Sequence, residues 1–166
     1  MNPFVTRNLS YGVYVIGTKD GDRPVGCIAN SAMQITSSPI TVAISINHDN
    51  YTNQCIEKTG KFSVNVLSVN CDPKIIGKFG YFSSKDVNKY EEHPYKIIED
   101  VPVIDECCGY MVFRVINKME TSTHTIFLGE MVEGDLRNDE IPMTYSYYHK
   151  VIKGVSPKNA PTYIAE

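Results

Sequence analysis

The sequence predicts a mostly β protein, a small antiparallel barrel with two short helices. Several segments alternate apolar and polar residues with a period of two, as in Thr41–Asn47, which is typical of a strand with one buried face. In Tyr110–Ile116 and Thr125–Val132, large apolar groups occupy both alternating positions, which indicates strands that are covered on both sides. Such strands fit a barrel wall that also packs against a helix or a second subunit.

The first half of the chain is predicted to begin with a hairpin. Tyr11–Thr18 is rich in β-branched and aromatic residues, and Pro24–Asn30 follows a turn as its partner strand. A polar corner then leads into the strand Thr41–Asn47, and Pro39 closes that corner because proline cannot donate a hydrogen bond to a sheet.

Two helices are predicted from their start and stop signals. Asn50–Thr59 has Asp49 or Asn50 as its cap and Gly60 as its stop. After the strand Lys61–Ser68, a second helix starts at Asp72-Pro73 and ends at Gly80, with Ile75, Ile76 and Phe79 facing inward.

The second half is predicted to be mostly strand. Residues 81–94 are polar and are expected to form a surface loop with a helical turn. The predicted strands that follow are Tyr95–Ile98, Pro102–Asp105, Gly109–Met119 and Thr125–Leu136. The last segment, Tyr145–Glu166, contains turn signals and is expected to be extended.

Composition excludes several classes of protein. The length of 166 residues suits one domain over 1–166, and a net charge of −3 argues against a nucleic-acid-binding face. No apolar run is long enough to cross a bilayer, and the N-terminus lacks a signal pattern, so we expect a cytoplasmic protein without membrane contact. The five cysteines form no Cys-x-x-Cys pair, which argues against a disulfide framework or a metal site and favours buried free thiols.

The polar corner is the first candidate site. It offers neutral hydrogen-bonding groups suited to the edge of a flat heterocycle. No nucleophile is paired with a base there, so hydrolysis is not indicated. The alternative is a turn whose side chains satisfy its own backbone. The candidate residues are Ala29, Asn30, Ser31, Thr36 and Ser37.

The start of the first helix is the second candidate site. Free backbone amides and the helix dipole make a helix N-terminus suitable for a phosphate group. Plain N-capping is the alternative interpretation. The candidate residues here are Asn47, Asn50, Tyr51, Thr52 and Asn53.

Two further groups complete the candidates. His124 opens a strand and is a candidate proton-handling group, although such a histidine is more often a half-exposed turn residue. Tyr145 begins a tyrosine-rich tail that can stack on a ring or seal an interface. Lys78 and Phe79 lie near the end of the second helix, where a lysine usually pairs with carbonyl groups or is solvated.

The order of these motifs resembles the flavin reductase-like family, especially its flavoredoxins and the N-terminal domain of high-molecular-weight rubredoxins. The resemblance runs from Tyr11 to Tyr163 and includes residues 26–54 and the strand motif His124-x-x-x-x-Gly129-Glu130. It also includes the tail, where Val155 replaces the second lysine of the family's Lys-Gly-Lys pattern.

This resemblance implies a Greek-key split β-barrel that binds FMN, usually as a homodimer. It implies that Lys78 approaches the FMN phosphate and that His124 and Tyr145 lie on the nicotinamide side. We therefore expect an NAD(P)H:flavin oxidoreductase that passes electrons to a separate acceptor protein or to free flavin. Two alternatives stay open: a flavoredoxin-like FMN electron carrier with little NAD(P)H activity, and a flavin-free dimeric binding scaffold.

Overall fold

Seven strands form one antiparallel sheet in the order β2-β1-β5-β8-β9-β4-β3, and β6 and β7 form a separate hairpin. The computed structural model describes residues 1–165. The strands are β1 Tyr14–Asp20, β2 Arg23–Ala29, β3 Ala32–Ser37, β4 Ile40–Asn47, β5 Lys61–Val66, β6 Tyr95–Ile98, β7 Val101–Ile104, β8 Gly109–Glu120 and β9 His124–Leu136. The helices are α1 Tyr51–Thr59, α2 Pro73–Tyr81 and α3 Tyr145–Lys150, and a 3-10 helix covers Pro3–Asn8.

The sheet curls until its two edge strands meet at one end, which makes it a split barrel. The edge strands β2 and β3 are joined by only two residues, Asn30 and Ser31, and the Ser45 amide of β4 donates to the Ser31 carbonyl at 3.2 Å. In a flat sheet β2 and β4 would be roughly 24 Å apart, at ~4.8 Å per strand. Instead, Cys27 of β2 and Ile44 of β4 belong to one buried cluster. The predicted mostly β, antiparallel split barrel is confirmed.

The first hairpin has a tighter turn than predicted. Pairing of β1 with β2 continues to Asp20 opposite Arg23, because Gly21 adopts a φ of +60° and allows a tight turn. The strand β1 begins at Tyr14 and ends at Asp20. The predicted strand, Tyr11–Thr18, lay two to three residues too close to the N-terminus.

Two predictions of local structure were wrong. The polar corner is largely a strand, since residues 32–37 form β3 and pair with β4 along the sheet edge. The tail is not extended throughout, because its first residues form α3, capped by Thr144, whose side chain accepts from the Tyr147 amide at 3.1 Å. In both places the stabilising partners come from elsewhere in the fold, namely β4 for β3 and the core beneath Tyr148 for α3.

The capping predictions for the first two helices are confirmed. The Asn50 side chain accepts from the Thr52 amide at 3.0 Å, and Gly60 ends α1 with a φ of +66°. Asp72 caps α2 by accepting from the Lys74 amide at 3.0 Å. These caps could be predicted from the sequence because each capping side chain accepts from a backbone amide only two residues away.

Two large clusters form most of the core, and Val101, Val103 and Val112 form a small third one. The inner cluster fills the barrel and includes the predicted buried face of β4, namely Val42, Ile44 and Ile46. The other cluster lies beneath α2 and α3 and includes the predicted inward-facing residues of α2, Ile75, Ile76 and Phe79. All five cysteines are buried free thiols, as predicted.

One outer face of the barrel carries uncovered apolar side chains. Ile116 and Met119 of β8 and Val132 of β9 are 46%, 58% and 43% exposed. No helix formed by residues 1–165 covers these side chains. The other predicted cover, a second subunit, stays a prediction. Within the same residues, no helix has the length and apolar character to cross a membrane, and no cluster of His, Cys, Asp and Glu is arranged to hold a metal.

Candidate functional site

A cavity of about 510 Å³ lies where the barrel closes, between the ends of β2 and β4 and the start of α1. Its polar wall is defined by three asparagine side chains, Asn30, Asn47 and Asn50, and we call it the amide cavity. Its other wall is aromatic and includes Tyr81, Phe82, Tyr145, Tyr148 and Tyr163. The lining thus combines polar amide groups with flat aromatic surfaces.

The amide groups are held in fixed orientations. Asn30 is 4% exposed; its Nδ2 donates to Thr162 Oγ1 at 2.8 Å, and its Oδ1 accepts from the Ser31 hydroxyl at 2.9 Å. Asn47 Oδ1 accepts from the Asp49 amide at 2.8 Å. Because these amides are hydrogen-bonded in this way, they present a defined pattern of donors and acceptors to anything in the cavity.

The start of α1 forms one end of the amide cavity. Asp49, Asn50 and Tyr51 line it, and the positive end of the helix dipole points there. Asp49 opposes an anion at this end, whereas Lys158 of the tail supplies a cation on the lining. The Tyr51 hydroxyl is turned away and donates to Asp20 Oδ2 at 2.6 Å, which lowers the pKa of Asp20.

Several residues of the predicted site do line the amide cavity. They come from β2 and the turn after it, from the end of β4, from the start of α1 and from α3. They are Ala29, Asn30, Asn47, Asn50, Tyr51 and Tyr145. Ser31 does not line it but orients Asn30 through the hydrogen bond from its hydroxyl.

Two residues of the predicted corner, Thr36 and Ser37, do not line the amide cavity. Both are exposed near the far end of β3, since Thr36 pairs with Thr41 while the cavity lies beside Ser45 and Asn47. Four residues of strand separate Thr41 from Ser45, which is roughly 13 Å at ~3.3 Å per residue. They lie away from the cavity because the predicted corner is a strand, β3, which carries these side chains along the sheet edge. Their contact with a cofactor stays a prediction.

Thr52 and Asn53 are buried beneath the helix start and do not line the cavity. Asn53 Nδ2 donates to the Ile46 carbonyl and to Thr125 Oγ1, both at 3.0 Å. These bonds tie α1 to β4 and β9, so Asn53 supports the cavity wall from behind. The Thr52 hydroxyl is buried without a hydrogen-bond partner among residues 1–165.

Lys78 and Phe79 also lie off the lining. Phe79 is 1% exposed and packs edge-on against Tyr90 with ring centroids 4.9 Å apart, so it is a core residue. Lys78 is half-buried near the mouth, where its ammonium lies 5.5 Å from the centroid of the Phe82 ring. Phe82 lines the cavity, which leaves Lys78 beside the opening.

His124 lies at the edge of the site and contacts the tail. Its Nε2 is 3.3 Å from the Asn159 carbonyl, which can only accept, so this nitrogen carries the hydrogen. Its Nδ1 is 2.8 Å from the Thr123 hydroxyl. Burial lowers the pKa of His124, which favours the neutral form of the ring.

The tail after α3, residues 151–165, was the largest omission from the predicted site residues. Ser156–Pro161 and Tyr163 cover the amide cavity, and the tail is held by hydrogen bonds to several elements. The Tyr81 hydroxyl donates to the Val155 carbonyl at 2.6 Å, and His149 Nδ1 lies 2.8 Å from the Gly154 carbonyl. The closely spaced Gly154, Pro157 and Pro161 were the available signal, because they turn the chain back over α3.

A buried cation lies behind the cavity floor. Lys89 is 2% exposed, and its ammonium donates to the Gly26 carbonyl at 2.8 Å and the Phe79 carbonyl at 2.9 Å. Burial lowers its pKa to about 8. Cys27, which lines the floor, has a raised pKa because of burial, opposed by the charge of Lys89.

The amide cavity fits a flat heterocycle with a phosphate-bearing chain. Its volume lies within the range of small-molecule sites, its aromatic wall suits ring stacking, and its amides suit the polar edge of the ring. The start of α1 provides backbone donors and a favourable dipole for an anion. The fold and the site together define a split-barrel protein with a cofactor-sized cavity between strand ends and a helix start.

Comparisons with known proteins assign this architecture to a family. Residues 6–156 match the flavin reductase like domain, and the chain belongs to that family. It is 36% identical to a high molecular weight rubredoxin of Moorella thermoacetica over 98% of this chain and 72% of that protein. It is 32% identical to a ferric-chelate reductase (NAD(P)H) of Archaeoglobus fulgidus over 93% of both chains.

A solved structure supports the fold. The crystal structure of flavoredoxin from Methanosarcina acetivorans matches with a TM-score of 0.69 and 22% identity, over 77% of this chain and 69% of that one. This likeness shows that the two proteins share a fold. The family match and the two relatives confirm the resemblance stated from the motifs.

Proposed function

We propose that this chain is an FMN-dependent oxidoreductase that takes hydride from NAD(P)H and passes electrons to a separate acceptor. The observation that carries the proposal is the amide cavity itself, in which Asn30, Asn47 and Asn50 face an aromatic wall beside the start of α1. Membership of the flavin reductase like family supports the cofactor class. FMN, when bound, supplies the hydride and electron chemistry.

In this proposal the residues of the chain hold and shield the ring. Asn30 and Asn50 offer side-chain groups to its polar edge, while Tyr145 and Tyr148 cover a face and exclude water. The start of α1 holds the phosphate, and Lys158 or Lys78 partly compensates its charge. Neutral His124 holds Asn159 of the tail over the site.

Neutral amides suit this reaction because they do not oppose a negative charge on a reduced ring. Donors directed at the polar edge stabilise that charge and so favour hydride uptake. No nucleophilic residue is required from the protein, whose contribution is orientation of donor and ring. The buried cation of Lys89 adds a positive potential from behind the floor.

The exposed apolar face of β8 and β9 supports a homodimer. Ile116, Met119 and Val132 are large apolar side chains that are each exposed on these two adjacent strands, and a second copy of the chain would remove them from water. We propose that residues 1–166 act as one flavin-binding domain in each subunit and that the protein works in the cytoplasm.

Spectroscopy of the purified protein tests the cofactor and the donor together. The protein is incubated with FMN, freed of excess, and reduced with NADH or NADPH under argon. Flavin absorbance that bleaches with either nucleotide supports the reductase. Flavin that stays oxidised identifies the electron carrier instead, and protein that cannot be loaded with FMN overturns the proposal in favour of the scaffold.

A variant pair ties the result to the amide cavity. Asn30→Ala removes one amide from the wall, and Asn117→Ala removes an exposed asparagine on β8 as a matched control. We expect Asn30→Ala to weaken FMN binding about tenfold, since one lost hydrogen bond is worth about 1–1.5 kcal/mol. Equal FMN affinities for both variants would contradict the assignment of the cavity.

The acceptor is tested with the reduced protein. The 32% identity to a ferric-chelate reductase favours a ferric chelate as one acceptor, and free flavin is the other. Stopped-flow reoxidation by ferric EDTA and by riboflavin, measured at equal concentrations without oxygen, ranks the two. Reoxidation by neither would leave a protein partner as the acceptor.

A further inference from the structure

A second cavity, of about 1020 Å³, lies on the other side of the tail from the amide cavity. It is formed by the N-terminal segment Thr6–Tyr11, by α3 and by residues 155–164 of the tail. None of the functions proposed above uses it.

The charged side chains that line the second cavity are all positive. Arg7 and Lys150 line it, and within residues 1–165 no aspartate or glutamate does. Neither cation takes part in an ion pair with the described residues; the Arg7 guanidinium instead lies 4.5 Å from the centroid of the Phe4 ring. In a chain with a net charge of −3, such a lining favours an anionic ligand.

The uncharged part of the lining suits a base and a sugar. Tyr11 packs edge-on against Tyr145 with centroids 6.3 Å apart, and His149 lies 4.3 Å from Tyr145, so flat rings border the space. Hydroxyl groups from Ser10, Thr144 and Ser146 add donors and acceptors for a ribose. Aromatic rings, hydroxyls and cations together match the parts of a nucleotide.

The two cavities share one wall. Tyr145, Ser156 and Tyr163 line both, and the Tyr145 hydroxyl is hydrogen-bonded to Ser156 Oγ. Thr162 Oγ1 lies 3.5 Å from the same Tyr145 hydroxyl and accepts from Asn30 at 2.8 Å. A ligand in the second cavity therefore lies one side chain away from the amide cavity.

We propose that the second cavity binds the phosphate-bearing adenosine arm of the nicotinamide electron donor. The inference rests on the proposed function for the identity of the donor. Arg7 and Lys150 contact the phosphates, the hydroxyl-bearing side chains contact the ribose, and the tyrosine and histidine rings border the base. The nicotinamide end then extends past Tyr145 toward the amide cavity.

The test uses ADP as the probe, titrated by calorimetry into the protein with and without FMN. The variant Arg7→Gln/Lys150→Gln removes both cations from exposed positions, so folding is not at risk. The matched control Lys85→Gln/Lys96→Gln removes two exposed cations that line neither cavity. We expect ADP binding to weaken at least about tenfold in the first variant and to stay unchanged in the control, because charge-assisted contacts to phosphate are lost only there.

Kinetics of the FMN-loaded enzyme provide the second readout. The Arg7→Gln/Lys150→Gln variant is expected to raise KM for the nicotinamide donor severalfold with kcat and FMN affinity unchanged, since the lost contacts lie away from the ring. Undetectable ADP binding, or equal binding by both double variants, overturns the inference while leaving FMN binding intact. ADP binding that depends on these two cations in a protein unable to bind FMN supports the nucleotide site and overturns the proposed function instead.

Discussion

Replacement of Asn53 by alanine is expected to destabilise the protein without acting directly on its ligand. The side chain is 5% exposed and donates to the Ile46 carbonyl and to Thr125 Oγ1, both at 3.0 Å. These contacts join α1 to two strands of the barrel. Asn53 therefore holds in place the helix whose start forms one end of the amide cavity.

The magnitude follows from the two lost bonds. Each net hydrogen bond is worth about 1 kcal/mol, and the buried acceptor at Ile46 adds a desolvation cost of about 1 kcal/mol. The Thr125 hydroxyl keeps a partner, since it also lies 3.0 Å from Glu120 Oε2. Alanine returns about 0.5 kcal/mol through its better helix propensity. We expect a net loss of roughly 2–3 kcal/mol in the free energy of unfolding.

Urea unfolding measures this loss. The midpoint is expected to fall while the m-value stays unchanged, since the surface exposed on unfolding is the same. Gln54→Ala, at an exposed position of the same helix, serves as the matched control and should stay within about 0.5 kcal/mol of the wild type.

Ligand binding discriminates the structural role of Asn53 from direct contact with the phosphate. Riboflavin and FMN share the ring but differ in the phosphate, so a support residue should weaken both by the same factor. A stability within about 0.5 kcal/mol of wild type, combined with selective loss of FMN, would refute the reasoning.

Three further predictions concern the tail, the buried cation and the thiols. A side chain at Gly154 would place its Cβ 2.0 Å from Tyr148 Cζ, so Gly154→Ala should detach the tail at a cost of about 1–3 kcal/mol; limited proteolysis should then cut after residue 150 faster than in Gly77→Ala, where nothing lies within 4 Å. Lys89 has a folded pKa of about 8, below its unfolded value, so the unfolded chain binds more protons between pH 8 and 10.5. The free energy of unfolding of the wild type relative to Lys89→Met should therefore rise with pH across that window, by roughly 3 kcal/mol at ~1.4 kcal/mol per pKa unit. A difference that does not change with pH would contradict the burial of a Lys89 ammonium group. Burial raises the pKa of Cys71 to about 12 and of Cys107 to about 11, so a thiol reagent at pH 8 should label all five cysteines in urea and none of them quickly in its absence.

The parts of the fold that sequence alone predicted depend on short-range signals. The buried face of β4 follows from alternation at Val42, Ile44 and Ile46, and the start of α1 follows from the cap at Asn50. Both signals act within a few residues of their own position, so no knowledge of distant partners was needed.

The parts that sequence missed depend on distant partners. The exposed strand β3 is a strand because β4 offers it an edge, and α3 is a helix because Tyr148 packs into the core that α2 helps to build. The site shows the same division. Asn30 and Asn50 were identified from local chemistry, whereas the tail at Ser156–Pro161 reaches the cavity only through the tertiary fold.

The most direct test of the central claim is a crystal structure of the protein grown with excess FMN. The proposal predicts that the ring lies against Asn30 and the aromatic wall, with the phosphate at the start of α1 near Asn50. Flavin bound instead beside Thr36 and Ser37 on β3, with no flavin in the amide cavity, would contradict it.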